Sequence, residues 1–225
     1  LYPMNALVED QLTRLRAALD SDAVAQVFND EFGGNRVFFG RYTGETPVTG
    51  FREHPRVAAK DDSERRGTQL EKLFDYFLEV DKTQDAISRL LKASDGVETD
   101  SDTTGGNLSP SDRYMFPRSN GSEMLDRWNI QETPPDILIT NISMLGGMLN
   151  REVDLPILEK TRDWLMSDAD SYFYLVIDEL HLHRGTAGTE VAYLLRSLIY
   201  QLGLHLPEHR HKLRILATSA SLPTE

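Results

Sequence analysis

The chain has 225 residues, 40% hydrophobic and 27% charged, which suits one sizeable α/β domain with its own core. A net charge of −12 argues against a general, basic nucleic-acid binder, and the lack of cysteine excludes disulfides and Cys-based zinc sites. No apolar run approaches a membrane span, no basic-then-apolar leader is present, and the cysteine usage fits a reducing, cytoplasmic setting.

The opening Leu1-Tyr2-Pro3 carries no initiator Met and reads as the middle of a larger protein. Pro3 to Leu7 opens a helix with Asn5 as its expected N-cap, and Val8, Leu12, Leu15 and Leu19 recur on one face. NRVFFGR, residues 35–41, reads as a strand. The turn after it has Gly44 for backbone freedom and Pro47 to end it. Residues 48–68 are polar and read as a loop, after which Leu70, Leu73, Phe74, Phe77 and Leu78 set a helical stripe that could run to Leu91. Residues 95–112 hold five Asp or Glu and no Lys or Arg, so 95–117 is expected to be a flexible acidic insert that cannot bury enough apolar surface to order itself.

Ile137 to Thr140 reads as a buried strand, with Asn141 starting the next helix. Asp154 is placed to cap another helix, with Pro156 in its first turn and Leu158 and Leu165 inside. Then comes YFYLVIDELH, residues 172–181, a β-rich apolar run ending abruptly in Asp178 and Glu179. The carboxyl end of such a strand is where open α/β sheets hold ligands, and successive side chains there diverge. The following HRGTAGTE has glycines at 185 and 188 but no Lys, so it is not a phosphate loop of the Walker A kind. It leads into a helix striped by Val191, Leu194, Leu195, Leu198, Ile199 and Leu202. The last strand, 213–217, ends in Thr218, Ser219, Ala220 and Ser221.

Asp-Glu-Leu-His at 178–181 resembles motif II, the Walker B box, of DExH/DEAD-box superfamily 2 helicases. In the family's order, YPMNALVEDQ resembles motif Ia, Thr43 and Gly44 motif Ib, PDILITN motif Ic, and Thr218-Ser219-Ala220-Ser221 motif III. The longer strings SEMLDRW, PPDILITN, DELHLHRGTAGTEV and ILATSAS resemble a bacterial set of large helicases, some of which lie beside phage-defence genes. The resemblance implies an incomplete RecA-like lobe, α/β with a mainly parallel sheet between helices. It implies ATP and Mg²⁺ as cofactors, with Asp178 holding Mg²⁺ through water and Glu179 polarising the attacking water. It makes His181, Ser219, Ala220 and Ser221 the link between ATP and strand movement, and Asn5, Thr43, Gly44, Thr140 and Asn141 contacts to the nucleic-acid backbone. The implied partners are nucleic acid, DNA favoured over RNA, and the remainder of a helicase chain with its Walker A box and second lobe, with no membrane.

The sequence departs from that pattern in having no Gly-Lys pair and no second lobe with its arginine finger. Phosphoryl transfer needs the phosphate cradle and its Lys, so these residues alone are expected to be inactive. Two alternatives follow. One is a degenerate, noncatalytic lobe acting as an interaction module. The other is a metal hydrolase using Asp178, Glu179, His181 and His183, with His205, His209 and His211 downstream.

Overall fold

The computed structural model describes residues 1, 5–94, 109–183 and 185–219. Helix α1, Asn5–Leu19, buries Val8 and Leu12 against the first sheet. Helix α2, Asp22–Glu31, follows at once, its N-cap Ser21 accepting from the Val24 amide at 3.4 Å. Strand β1 is Phe39–Tyr42, later than the 35–41 expected. Pairing decides the boundary. Ile137 donates to Phe38 O at 3.1 Å and the ladder begins there, with Phe39 and Tyr42 both fully buried.

Helix α3, Ala59–Ser94, takes in ten residues that composition assigns to a loop. Its first turns hold Lys, Glu and Arg, which favour helix without an apolar stripe to announce it. Asp61 and Asp62 suit the positive end of the helix, and Asp62 pairs with Arg65 one turn on. Of the expected insert, residues 95–108 lie outside the described residues, but Pro110–Met115 forms a 3₁₀ turn closed by a Ser109–Asp112 capping box. Gln84 of α3 donates to Phe116 O and Pro117 O at 3.0 and 2.9 Å.

Strand β2, Glu123–Met124, is pinned to α1 by a buried ion pair, Arg16 Nε to Glu123 Oε2 at 2.5 Å and Nη2 to Oε1 at 2.9 Å. Helix α4, Arg127–Glu132, starts from Asp126, whose side chain caps the Asn129 amide at 3.0 Å. Strand β3, Ile137–Thr140, leads into α5, Ile142–Met148. Helix α6, Leu155–Ser167, starts after Asp154, which sits at the N-cap position but makes no side-chain cap bond. Its carboxylate turns inward instead, as described below. Strand β4, Phe173–Ile177, helix α7, Gly185–Gln201, and strand β5, Leu213–Ala217, complete the order.

All the pairings are parallel, in two sheets: β2-β1-β3 and β4-β5. The chain is therefore a mixed α/β fold with parallel sheets flanked by helices, of Rossmann or P-loop type. Leu145, Leu158, Leu175, Ile177, Leu198 and Leu202 form the main core between β4 and helices α5 to α7. No described helix is long and apolar enough to cross a membrane.

Candidate active site

Asp178 and Glu179 leave the end of β4, and the register Ile177↔Ala217 sets Asp178 beside Thr218 at the end of β5. Thr218 Oγ1 donates a short hydrogen bond to Asp178 Oδ1. The Glu179 amide donates to the same oxygen at 3.0 Å and to Thr218 Oγ1 at 3.4 Å. Backbone bonds carry the pairing past both strands, Thr218 N–H to Ile177 O and Leu180 N–H to Thr218 O, each 2.9 Å. Asp178 is thus held on one oxygen by a neighbouring strand.

Glu179 adopts φ 51, ψ 46, the left-handed region, which costs a non-glycine residue roughly 1–2 kcal/mol. Glu179 therefore leaves the extended conformation immediately after Asp178. Glu179 Oε2 lies 3.1 Å from His181 Nδ1, and Ser219 Oγ lies 3.5 Å from that nitrogen. The buried Oε2 gains a donor only when Nδ1 carries the proton; when Nδ1 is bare it can instead accept from Ser219. His181 therefore stands between the residue after β4 and the residue after β5.

The candidate strand-contact residues gather at the end of the other sheet. The register Tyr42↔Thr140 puts the turn after β1 beside the end of β3. Thr43 is 1% exposed, and its hydroxyl accepts from the Glu45 amide at 3.3 Å. Thr46 Oγ1 accepts from the Thr43 amide at 3.0 Å and donates to Arg41 O at 2.9 Å. Thr140 Oγ1 donates to Tyr42 O at 2.7 Å, and the Asn141 side chain caps α5 at the Met144 amide, 2.7 Å. The Thr43 and Thr140 hydroxyls thus build the turns from within, and Gly44 and Glu45 are what the first turn presents to solvent. Asn5 is the first residue of α1, which packs on this sheet. Ala220 and Ser221 lie outside the described residues.

Beneath these turns lies a buried polar network that sequence reading missed. Tyr42 OH donates a short bond to Asp154 Oδ1, and Gln131 Nε2 donates to Tyr42 OH and to Asp154 Oδ1 at 2.8 and 3.1 Å. Arg151 Nε donates to Asp154 Oδ2 at 2.7 Å, and Arg127 Nη2 to Thr43 O at 2.6 Å. Arg127 also lies over the Tyr42 ring, 5.5 Å from its centre. Burial, reinforced by the Asp154 carboxylate, raises the Tyr42 hydroxyl well above its ordinary value, and burial lowers Arg127.

Thr218 was also assigned no role from sequence, though it follows β5 as Asp178 follows β4, and that parity was the available signal. Among the described residues no three His, Asp or Glu side chains gather as a metal-binding set. His205 stacks on Tyr200 with ring centres 4.2 Å apart.

The chain is 32% identical over 242 aligned residues to the Druantia protein DruE of Escherichia coli (strain UMEA 4076-1). That match takes in 99% of this chain but 12% of the relative, so the chain spans a small part of that protein's length. No model of a known protein family matches the chain, and no solved structure does. The fold is compatible with a nucleotide-hydrolysing domain.

Proposed function

We propose that the chain is part of the motor lobe of an ATP-dependent nucleic-acid helicase or translocase, working in the cytoplasm within a longer polypeptide. One observation supports this most: Asp178, Glu179 and His181 leave the end of a parallel strand and are tied to Thr218 and Ser219 leaving the next. Ligands of open α/β sheets sit outside those strand ends.

Asp178 spends Oδ1 on Thr218 and the Glu179 amide, so Oδ2 would be the oxygen to hold a magnesium ion through water. A single carboxylate reaching the ion through water suits Mg²⁺, which dehydrates reluctantly and keeps several waters. When bound, the ion neutralises charge on the transferring phosphate. Glu179, on a left-handed backbone beside Asp178, orients and deprotonates the attacking water. His181, reaching Glu179 or Ser219 according to its tautomer, passes the state of that site to the segment after β5. The phosphate cradle and the arginine finger come from the rest of the polypeptide. The turns that Thr43, Gly44, Thr140 and Asn141 build, together with the start of α1 at Asn5, form the surface that meets a phosphate chain, with Gly44 exposed to it while the Thr43 amide is spent on Thr46, and with DNA favoured over RNA.

Titration of the full-length protein with a fluorescent ATP analogue and Mg²⁺ tests the roles. Asp178→Ala is expected to weaken Mg²⁺-dependent binding about 10- to 100-fold, while Glu179→Gln leaves it within about threefold. Equal binding by wild type and Asp178→Ala would remove Asp178 from the metal site.

A further inference from the structure

Helix α7 buries one side and leaves the other bare. Val191 and Leu198 are buried, and Leu194, Leu195 and Ile199 lie partly buried beside them. The exposed residues of α7 include no Leu, Ile, Val or Met. At helical spacing Thr189, Tyr193, Arg196 and Tyr200 instead share one stripe. Tyr193 is 69% exposed and Tyr200 66%, so both rings stand in water. An aromatic ring left there contributes little to the fold and keeps its face free for stacking.

The stripe ends on a pair of rings. His205 stacks on Tyr200 with the planes 21° from parallel, which covers one face of Tyr200 and leaves the other to solvent. Arg210 braces the pair, its Nε donating to His205 O at 3.2 Å. Charge here runs against the rest of the chain. The net charge is −12, and most arginines are paired with a carboxylate, as Arg16 is with Glu123 and Arg118 with Asp20. Among the described residues Arg196 and Arg210 have no such partner, and the carboxylates nearest in sequence, Glu190 and Glu208, form no ion pair with either. Arg196 falls between the two tyrosines, and Arg210 lies beyond the second.

We propose that this outer stripe of α7 is a second contact for single-stranded nucleic acid, with one base stacked on Tyr193, another on the open face of Tyr200, and phosphates against Arg196 and Arg210. The two tyrosines are two helical turns apart, about 10 Å along the axis, so they take separate bases with Arg196 placed for the linking phosphates. Stacking on a ring face with a cation beside it suits any base, so the contact is tolerant of sequence. A protein helix docking here would need aliphatic anchors at this spacing, and the stripe has none. The turns at Thr43 and Thr140 end strands of one sheet, whereas α7 packs on the other, so the two contacts are separate. The site rests on the proposed function only in taking nucleic acid as a ligand of the polypeptide, and it does not require ATP hydrolysis.

Binding of a fluorescent oligothymidine to the full-length protein, without ATP, tests this. Tyr193→Ala and Tyr200→Ala are each expected to weaken binding about 5- to 150-fold, the loss of one stacked base. Tyr200→Phe keeps the ring and is expected to bind within about twofold of wild type. Arg196→Ala is expected to lower the slope of log affinity against log salt by about 0.7, one phosphate contact fewer. An oligonucleotide carrying iodouracil is expected to cross-link to Tyr193 or Tyr200 on irradiation, a readout that a merely structural role for these rings would not give. Binding by wild type with no loss in either alanine variant and no cross-link on α7 would overturn the site, give the stripe to a protein partner, and leave the contacts at the Thr43 and Thr140 turns standing. Equal losses for Tyr200→Phe and Tyr200→Ala would show a hydroxyl contact in place of a stacked base and would overturn it as well. No binding of the oligothymidine by wild type would overturn both this site and the nucleic-acid reading.

Discussion

Asp154 offers a sharp test of how the turns beside the site are held. It is 0% exposed, and its carboxylate accepts from Tyr42, Gln131 and Arg151. Asp154→Ala strands the buried Tyr42 O–H and removes one of the two acceptors of Gln131 Nε2, which keeps Tyr42 OH, while Arg151, 40% exposed, can turn to water. A stranded buried group costs about 1–3 kcal/mol, so the loss should be about that size. Tyr42→Phe removes one donor and leaves the carboxylate two others, so it should cost about 1.5–3 kcal/mol. The decisive comparison is Tyr42→Phe made on top of Asp154→Ala, where the hydroxyl has lost its acceptor and keeps only the bond from Gln131 Nε2, so its removal should cost clearly less than in the wild type. Urea unfolding followed through Trp128, buried in α4 beside Gln131, measures all four corners of the cycle. Equal costs for Tyr42→Phe in both backgrounds would refute the network, as would an Asp154→Ala loss under about 1 kcal/mol.

Other outcomes follow from single contacts. Thr218→Val keeps the shape but removes the donor to Asp178, so ATP turnover by the full-length protein should fall about 10- to 100-fold, with Thr218→Ser restoring most of it. Arg65 hydrogen bonds, aided by the His54 amide and opposed by burial, hold the Asp62 carboxyl down from 3.8 to about 2. A depressed carboxyl stabilises the fold fully above its unfolded value and loses that contribution as pH falls through the folded one. Circular dichroism should therefore show α3 weakening between about pH 4 and pH 2, and Asp62→Asn should flatten that window.

What was legible in the sequence is what burial patterns announce. The run ending in Asp178 and Glu179 was legible as a strand because it is apolar throughout and stops at two carboxylates, but it reads as buried on both faces, whereas Tyr174 and Val176 are exposed and only the face of Leu175 and Ile177 is covered. Helices α1 and α7 were legible because Val8 and Leu12, or Val191 and Leu198, repeat at helical spacing and are buried. The first turns of α3 were not, since charged residues on a solvated helix carry no apolar period. Asp154 misled because its position before Pro156 is that of a cap, and only the fold shows Tyr42 and Gln131 arriving from distant segments to claim its carboxylate. Thr43 and Thr140 were read as outward contacts, yet their hydroxyls close hydrogen bonds within the turns. The division into two sheets had no local signal at all. It arises where β3 and β4 stand without a strand between them.

If Glu179 drives hydrolysis at the end of β4, single-turnover hydrolysis of ATP by the full-length protein with single-stranded DNA will separate wild type from Glu179→Gln. The expected loss in the chemical step is about 10²- to 10⁴-fold. A Glu179→Gln protein that hydrolyses ATP within a few-fold of wild type would contradict it.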